Sequence, residues 1–505
     1  DWSSDVCSSD LTSMLRPQVF ALQDPGNGGP AVGFAASEKQ AIDAALESLA
    51  AEDTRFWGRA DLVWNARGGS HTDGGAFAFT VVRENDGSAR LGCADKFGRP
   101  IRVEEPAAVR QCRSAPAIGA DESALPWGGA AEVLAHVVDR IRTWSYPDAQ
   151  RFCHRLTSRF GDDHGRRLGL ESLALLIDRR YPTGSLRRSR VVSLFDTALA
   201  ALFDAVRRQP SREFAFHEHG RPLPEPGAEG QVLVDARGFS PEGPESLAGE
   251  LVRLARRGFR RLVVAEARGH RFIANGLGPE SQGIRIDVFG SSGDYLASGI
   301  DGAEVVVHGS GQDQLAQIMK AGRLVVHGDV GQAFLYAAKG GDVFVLGNAA
   351  GRPLINAVGH PRVVINGTCL DYLAESFMAG DPLNGGGFVV LNGIRFGADG
   401  RLHDLETPYP GGNLFSLASG GAVFIRDPEG KVDEDQLNGG QFGAFGAAHW
   451  ALIRPLLEEN ERLFGIPIAQ LLAVEEQPLP PERIYRIVVP TKVRALQAEE
   501  AWVSH

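Results

Sequence analysis

The feature that most constrains this chain is a repeat. The segments VVVHG, LVVHG, VFVLG, VVING and VVLNG end at Gly309, Gly328, Gly347, Gly367 and Gly393, at spacings of 19, 19, 20 and 26 residues. A sixth copy, GGAVFIRD, ends at Asp427 after a longer insertion. Each copy is a glycine-containing loop leading into a short apolar strand. Such a strand, in a unit of about 20 residues, is stable only when stacked on its neighbours. Alternation along the strands defines an inward column of Val305, Val307, Leu324, Val326, Val343, Val345, Val363, Ile365, Val389, Leu391, Val423 and Ile425, all aliphatic. The outward column, Val306, Val325, Phe344, Val364, Val390 and Phe424, is apolar too, and a parallel sheet apolar on both faces is covered on both. The pattern predicts a right-handed parallel β-helix of about six coils, with glycines at the coil corners. Its outward face is expected to pack on helices of this chain or on a partner protein.

The flanks read differently. Residues 1–13 include the string DWSSDVCSSDL, which lacks the basic and apolar regions of a signal peptide and resembles a translated sequencing adapter. They are expected to be an artefact or disordered, with Met14 the true start or the native N-terminus missing. Residues 14–125 read as an α+β domain: strands at 19–22 and 31–36, a helix at 38–52, and a hairpin across Asp86-Gly87. Residues 126–217 form a helical segment, with apolar stripes in VLAHVVDRIRTW, LESLALLIDRRY and LFDTALAALFDAVRR. A Pro/Gly-rich linker at 218–230 follows. Residues 231–430 hold a β–α–β entry unit and the repeats, and 431–505 hold terminal helices and a closing strand.

Composition narrows the function. A net charge of -11 disfavours a nucleic-acid partner, and Arg187-Arg188-Ser189-Arg190 reads as a solvated helix end. No stretch of about 20 apolar residues is present to span a membrane. Cys93, Cys112, Cys153 and Cys369 are scattered without a CxxC pair, which argues against structural zinc, an iron–sulfur cluster or a disulfide framework. A cytoplasmic location is the expectation.

The segments GSSGDYLASGIDGAEVVVHG, GRLVVHGDVGQAFLYAAKGGDVFVLGNAAG, ESFMAGDPLNGGGFVVLNG and GGNLFSLASGGAVFIRD resemble the GXGXG family. That family includes the C-terminal domain (domain 3) of the glutamate synthase large subunit, its stand-alone relatives, and the GXGXG-bearing subunit of formylmethanofuran dehydrogenase. The tail, HWALIRPLLEENERLFGIPIAQLL then RIYRIVVP, is similar to the terminal helices and closing strand of glutamate synthase. The resemblance covers about residues 230–490 and implies a β-helix that positions other domains and holds no catalytic residue. The chain departs from the family at Gln314-Leu315-Ala316-Gln317 and Phe334-Leu335-Tyr336-Ala337, where members often carry glycine. The N-terminal catalytic cysteine, the FMN barrel and its cysteine cluster are absent from the sequence. FMN and iron–sulfur centres are therefore expected only on partner subunits, with no cofactor in this chain.

The other candidate sites are weaker. His308 and His327 lie at equivalent places one coil apart and could bind a metal, but Leu346, Asn366 and Asn392 add no third strong ligand in that column. His217-Glu218-His219 and Asp162-Asp163-His164 read as a strand end and a helix-flanking loop. Gly26-Asn27-Gly28-Gly29 precedes Pro30 and a strand, which suits a hairpin turn better than a phosphate loop. Asp381, Asp399, Asp404 and Glu406 form no ladder of the kind a polysaccharide hydrolase needs, and Phe396 and Tyr409 are few for a carbohydrate platform. No catalytic, cofactor or metal residue is therefore assigned. The expected function is a non-catalytic scaffold module of a glutamate-synthase-like oxidoreductase complex, bound to other protein subunits or to itself. The alternatives are the equivalent component of a formylmethanofuran dehydrogenase or formyltransferase–hydrolase complex, or a β-helix enzyme or carbohydrate-binding protein with its site at an inter-domain cleft.

Overall fold

The computed structural model describes residues 128–491, apart from 228, 229, 398 and 476, and four short strands before them. Those strands, β1 (Val19–Gln23), β2 (Phe77–Arg83), β3 (Ala89–Asp95) and β4 (Pro100–Ile101), form one sheet in that order. Strands β2 and β3 pair antiparallel from Phe77↔Asp95 to Arg83↔Ala89, flanking Asp86-Gly87. The expected strand at 31–36, the helix at 38–52 and the Gly26–Gly29 turn lie outside the described residues.

Four helices follow: α1 (Ala130–Arg140), α2 (Tyr146–Thr157), α3 (Asp163–Asp178) and α4 (Arg188–Arg208). Three match the apolar stripes. Helix α2 carries no stripe in the sequence reading, but its start is written in Ser145-Tyr146-Pro147-Asp148. Asp148 accepts from the Ser145 backbone N–H at 2.7 Å in a capping box, and Pro147 occupies the first turn. Arg188 is not a solvated helix end. Its guanidinium donates to the Ile177 and Arg179 carbonyls at 3.0 and 2.6 Å, tying the start of α4 to the end of α3.

The repeats form one twelve-stranded sheet. Strands β5 (Phe214–Glu218), β6 (Gln231–Asp235), β7 (Arg261–His270), β8 (Arg285–Ser292), β9 (Asp301–Val307), β10 (Ala321–Val326), β11 (Asp342–Val345), β12 (Arg362–Ile365) and β13 (Phe388–Leu391) lie side by side in chain order, all parallel. Helix α5 (Leu247–Arg257) connects β6 to β7. A short antiparallel pair, β14 (Ile394–Phe396) and β15 (Leu402–Asp404), sits in the long insertion. Strand β16 (Ala422–Arg426) pairs with β13, and β20 (Tyr485–Pro490) closes the edge antiparallel to β16 with β17 (Gly440–Gly443) beyond it. Between β17 and β20 come α6 (Ala447–Phe464), the short helices α7 (Ile468–Leu471) and α8 (Pro481–Ile484), and the β18–β19 pair (Ala473–Val474, Gln477–Pro478).

This corrects the fold class. The expected right-handed parallel β-helix gives way to an α/β-type fold, one large and mostly parallel sheet flanked by helices. The physical reason lies in the return segments. Only one piece of each repeat pairs as a strand. The other pieces alternate the sign of φ, which an extended strand cannot do. Positive φ recurs at Gln314, Ala316 and Ile318, again at Ala333, Leu335 and Ala337, at Arg352, Leu354 and Asn356, at Tyr372, Ala374 and Ser376, and at Asn413, Phe415 and Leu417. These rows still bond to one another. Gln314 N–H donates forward to the Gln332 carbonyl (2.7 Å), Ala316 back to Leu296 (2.7 Å), and Ile318 forward to Tyr336 (2.8 Å); the later rows repeat this order. The wall is thus a ladder of turns with isolated bridges such as Val330↔Ala349↔Cys369.

The aliphatic columns do stack. Val305, Leu324, Val343, Val363, Val389 and Val423 are partners in consecutive strand pairs. They fill a core between the sheet and the turn wall, to which Leu335, Leu354 and Phe415 contribute from the other side. The outward column packs beneath Ile453, Leu456, Leu457 and Phe464 of α6. At the other end of the same face, Phe216, Leu233, Val263 and Phe289 pack against α1–α4.

The turn wall carries backbone strain that glycine would relieve. Ile318 is β-branched, sits at φ 57° and is 43% exposed, so it gains little from burial. Ile318→Gly is expected to raise stability by about 0.5–1 kcal/mol after the extra unfolded-state entropy is subtracted. Leu335→Gly, at a buried position of the same kind, should instead lower stability by about 2 kcal/mol or more through lost packing. Urea midpoints of the two variants test the opposite signs.

Candidate functional site

The two ends of the sheet face are covered differently, and a cleft opens where the coverings meet. It encloses about 320 Å³ between α3, α6 and strands β7 to β10. Its floor continues the outward column. Asp287 is the strand partner of Val306, so a carboxylate stands in a file that is otherwise apolar from Val306 onward. The next file runs Phe289, His308, His327. The Phe289 and His308 rings stack at 3.9 Å, and His308 and His327 lie 5.8 Å apart, parallel within 8°. The last residue of α3, Asp178, descends onto this file from above.

Four buried groups converge there. His308 Nδ1 lies 2.9 Å from Asp178 Oδ2, and His308 Nε2 lies 3.2 Å from Asp287 Oδ1. His327 Nε2 lies 3.4 Å from the same Asp178 oxygen. Asp287 also receives Arg285 through Nη2 at 2.7 Å. Burial alone would lower the His308 pKa, but the Asp178 charge and hydrogen bonds to both carboxylates outweigh it and hold the ring up at about 9. His308 is therefore an imidazolium with a carboxylate at each nitrogen. His327 goes the other way, to about 4, because burial dominates and the charges of His308 and Arg180 add to it. Burial would raise the Asp287 carboxyl, yet His308 and Arg285 pull it far below the usual carboxylate range. Burial likewise opposes the Asp178 charge, and the histidines keep that carboxyl low.

Asp178, His308 and His327 are the one group among the described residues spaced for a metal ion. The geometry nevertheless suits an ion-pair network better. An imidazole offers its lone pair in the ring plane, so two stacked parallel rings cannot both reach one ion unless one turns. Both nitrogens of His308 are also already committed to carboxylates. As built, the cluster clamps α3 onto the sheet and places a fixed positive charge under the cleft.

The remaining candidates lie apart from it. His217 is buried and bonded through Nε2 to Glu250 at 2.6 Å, while exposed His219 packs edge-on against Phe239. Asp162 caps α3 through the Gly165 N–H at 2.7 Å, and Asp163 pairs with Arg166; His164 lies in the first turn. Asp381 accepts from the Leu383 N–H, Asp399 pairs with His403, Asp404 pairs with Arg426, and Glu406 is exposed. Tyr409 is buried with its hydroxyl donating to the Gly412 carbonyl, and Phe396 is half-buried against the core under α6, so neither offers a free sugar platform.

The turn rows place positive φ two residues apart, three times running, the spacing at which a G-X-G-X-G pattern would set its glycines. Residues 264–473 match the family model described as GXGXG motif. This segment belongs to the GXGXG motif family. No curated protein matches the chain. Within the GXGXG segment, the departures at Gln314–Ala316 and Leu335–Ala337 fall on these positive-φ sites. The wall therefore keeps its conformation without the glycines that would make it easy. His308, His327 and Asp287 lie inside the GXGXG segment, whereas Asp178 comes from the helices before it.

Proposed function

We propose that the chain is a GXGXG scaffold module of a glutamate-synthase-like multisubunit complex, with flavin and iron–sulfur chemistry carried by partner subunits. The observation that supports this is the in-register stack of strands from β8 to β16, backed by a hydrogen-bonded wall of turns. Such a body is stiff over its length, and it holds α1–α4 at one end and α6 at the other. Rigid separation of attached parts is what a scaffold supplies. Among the described residues, no helix is long and apolar enough to cross a membrane.

The test is reconstitution. The purified chain is mixed with a flavin-domain protein and an amidotransferase protein of the glutamate-synthase type from the same organism and followed by sedimentation velocity. A single larger species at micromolar concentration is expected. A chain that stays separate from both, while turning over a substrate alone, overturns the reading. A second reading, an activity housed in the cleft, is favoured by one observation: Asp178, Asp287, His308 and His327 converge there with opposed charge states.

A further inference from the structure

The twelve-stranded sheet has two edges, and they are finished differently. At β5 the first and last residues are tied off within the chain. Phe214 donates to Ser211 Oγ at 3.0 Å and accepts from the Ser211 N–H at 2.9 Å, and the Glu218 carbonyl accepts from the Arg221 N–H at 3.2 Å. The edge at β17 has no such finish. The Thr491 N–H donates to the Gly439 carbonyl at 2.9 Å, and Gly440 stands opposite Pro490. In an antiparallel ladder that phase turns the backbone groups of Gln441 and Gly443 toward β20. The N–H and C=O of Gly440 and Phe442 therefore point away from the sheet, and none of the described residues bonds to them. Shortness is the strand's one protection, because it carries neither the Lys nor the Pro that commonly blocks an open edge.

These open groups fit a second copy of the same strand. Gly440 and Phe442 are two residues apart, so a twofold axis through Gln441 sets each Gly440 opposite the partner's Phe442. Each such pair exchanges two N–H···O bonds, and every outward group of both residues is satisfied. The side chains suit this register. Phe442 packs on the inner-core side of the sheet, and the residue it would face across the axis is a glycine, which leaves room for the ring. Leu417 lies at the same end of the sheet, with its backbone against Gly439. It is 75% exposed, more than any other large apolar side chain among the described residues. The partner's ring would cover it.

We propose that the chain self-associates through β17, edge to edge across a twofold axis, so that one sheet runs on into the next. This rests on the edge alone and holds whether or not the chain joins a larger complex. The test is sedimentation velocity of the full chain in a concentration series up to about 0.2 mM, with amide hydrogen exchange read residue by residue at both ends of the series. A monomer–dimer equilibrium with a micromolar constant is expected. The Gly440 and Phe442 amides should exchange freely in the monomer and slow as the dimer forms, while the Gln441 and Gly443 amides, bonded to β20, stay protected throughout. F442P removes the outward donor of each copy and leaves the bonds to β20 in place. It should weaken the dimer about thirtyfold, roughly fivefold for each of the two bonds lost. L417D places a carboxylate under the partner's ring; it should weaken the dimer at least about tenfold, and it serves if F442P does not fold. The proposal is overturned if the chain sediments as a monomer throughout, if a dimer forms in which Gly440 and Phe442 exchange as fast as in the monomer, or if the folded variants dimerise like wild type.

Discussion

Asp287→Ala is expected to cost about 3–5 kcal/mol of folding stability, because it strips one carboxylate from a buried imidazolium and one from Arg285 at the same time. His308 would keep only Asp178, and Arg285 only its longer contact to Glu304 at 3.5 Å. The loss should depend on pH, with a sign fixed by His308. Its folded pKa is raised to about 9, so its pairing stabilises the fold fully below the unfolded value of about 6.5, and this contribution is lost as pH rises through about 9. Wild-type stability should therefore fall between those limits. In Asp287→Ala the raised pKa drops back, so the slope flattens and the gap between the two proteins narrows at about pH 10. Adding His308→Phe to Asp287→Ala removes the stranded charge and should recover part of the loss. Urea denaturation of the three proteins at about pH 6 and about pH 10 decides the matter. A variant within about 1 kcal/mol of wild type at the lower pH would mean that His308 is not held as a buried cation.

Much of the sheet could be read from residue order, because its signal is local and repeated. Val305, Leu324, Val343 and Val363 fall into one file since each sits at the same place in a unit of nearly constant length. The return segments could not be read the same way. Residues such as Leu335 and Phe415 look like strand residues in sequence, and nothing in their identity announces a positive φ; burial of their side chains in the core overrides the local preference. The glycine departures were the available clue, and they were visible only as an irregularity. The candidate site shows the same division. His308 and His327 stood out as a stacked pair because the repeat aligned them. Asp287 could have been found as the one acid in the outward file of an otherwise apolar face. Asp178 could not, because its partner lies 130 positions away and only the packing of α3 on the sheet unites them.

That division has an energetic logic. Along the outward file Asp287 is a single charge, with Val263 before it and Val306 after it, and the covering of the sheet changes at this point. The helical unit covers Phe216, Leu233 and Val263 and brings Asp178 and Arg180 to the charged position, where Arg180 donates to the His327 carbonyl at 3.1 Å. Helix α6 brings Ile453, Leu456 and Leu457 to the stretch from Val306 onward. Beside this file a row of alternating charges, Arg285, Glu304, Arg323, Asp342 and Arg362, runs in strand register along the sheet. A single face thus docks two different coverings in fixed order, and the cleft is the seam between them.

Phe344→Ala tests the apolar half of that face and is expected to cost about 3–5 kcal/mol. The ring is 1% exposed, lies in the cluster under α6, and receives the Arg323 guanidinium at 5.8 Å from its centroid. Arg323 in turn reaches Glu459 of α6 at 2.6 Å, so the same substitution loosens a polar tie between helix and sheet. Removing the ring leaves a cavity that stacked strands cannot close, because Val325 and Val364 on either side are fixed by the ladder. Val343→Ala, one residue away on the opposite face, loses fewer atoms and should cost about half as much. The two variants also differ in where they act. Phe344→Ala should raise hydrogen exchange in α6 while the inner core stays protected, whereas Val343→Ala should leave α6 unchanged until the whole domain unfolds. Exchange in α6 that is equal in the two variants would show that this helix does not depend on the outward column for its seat.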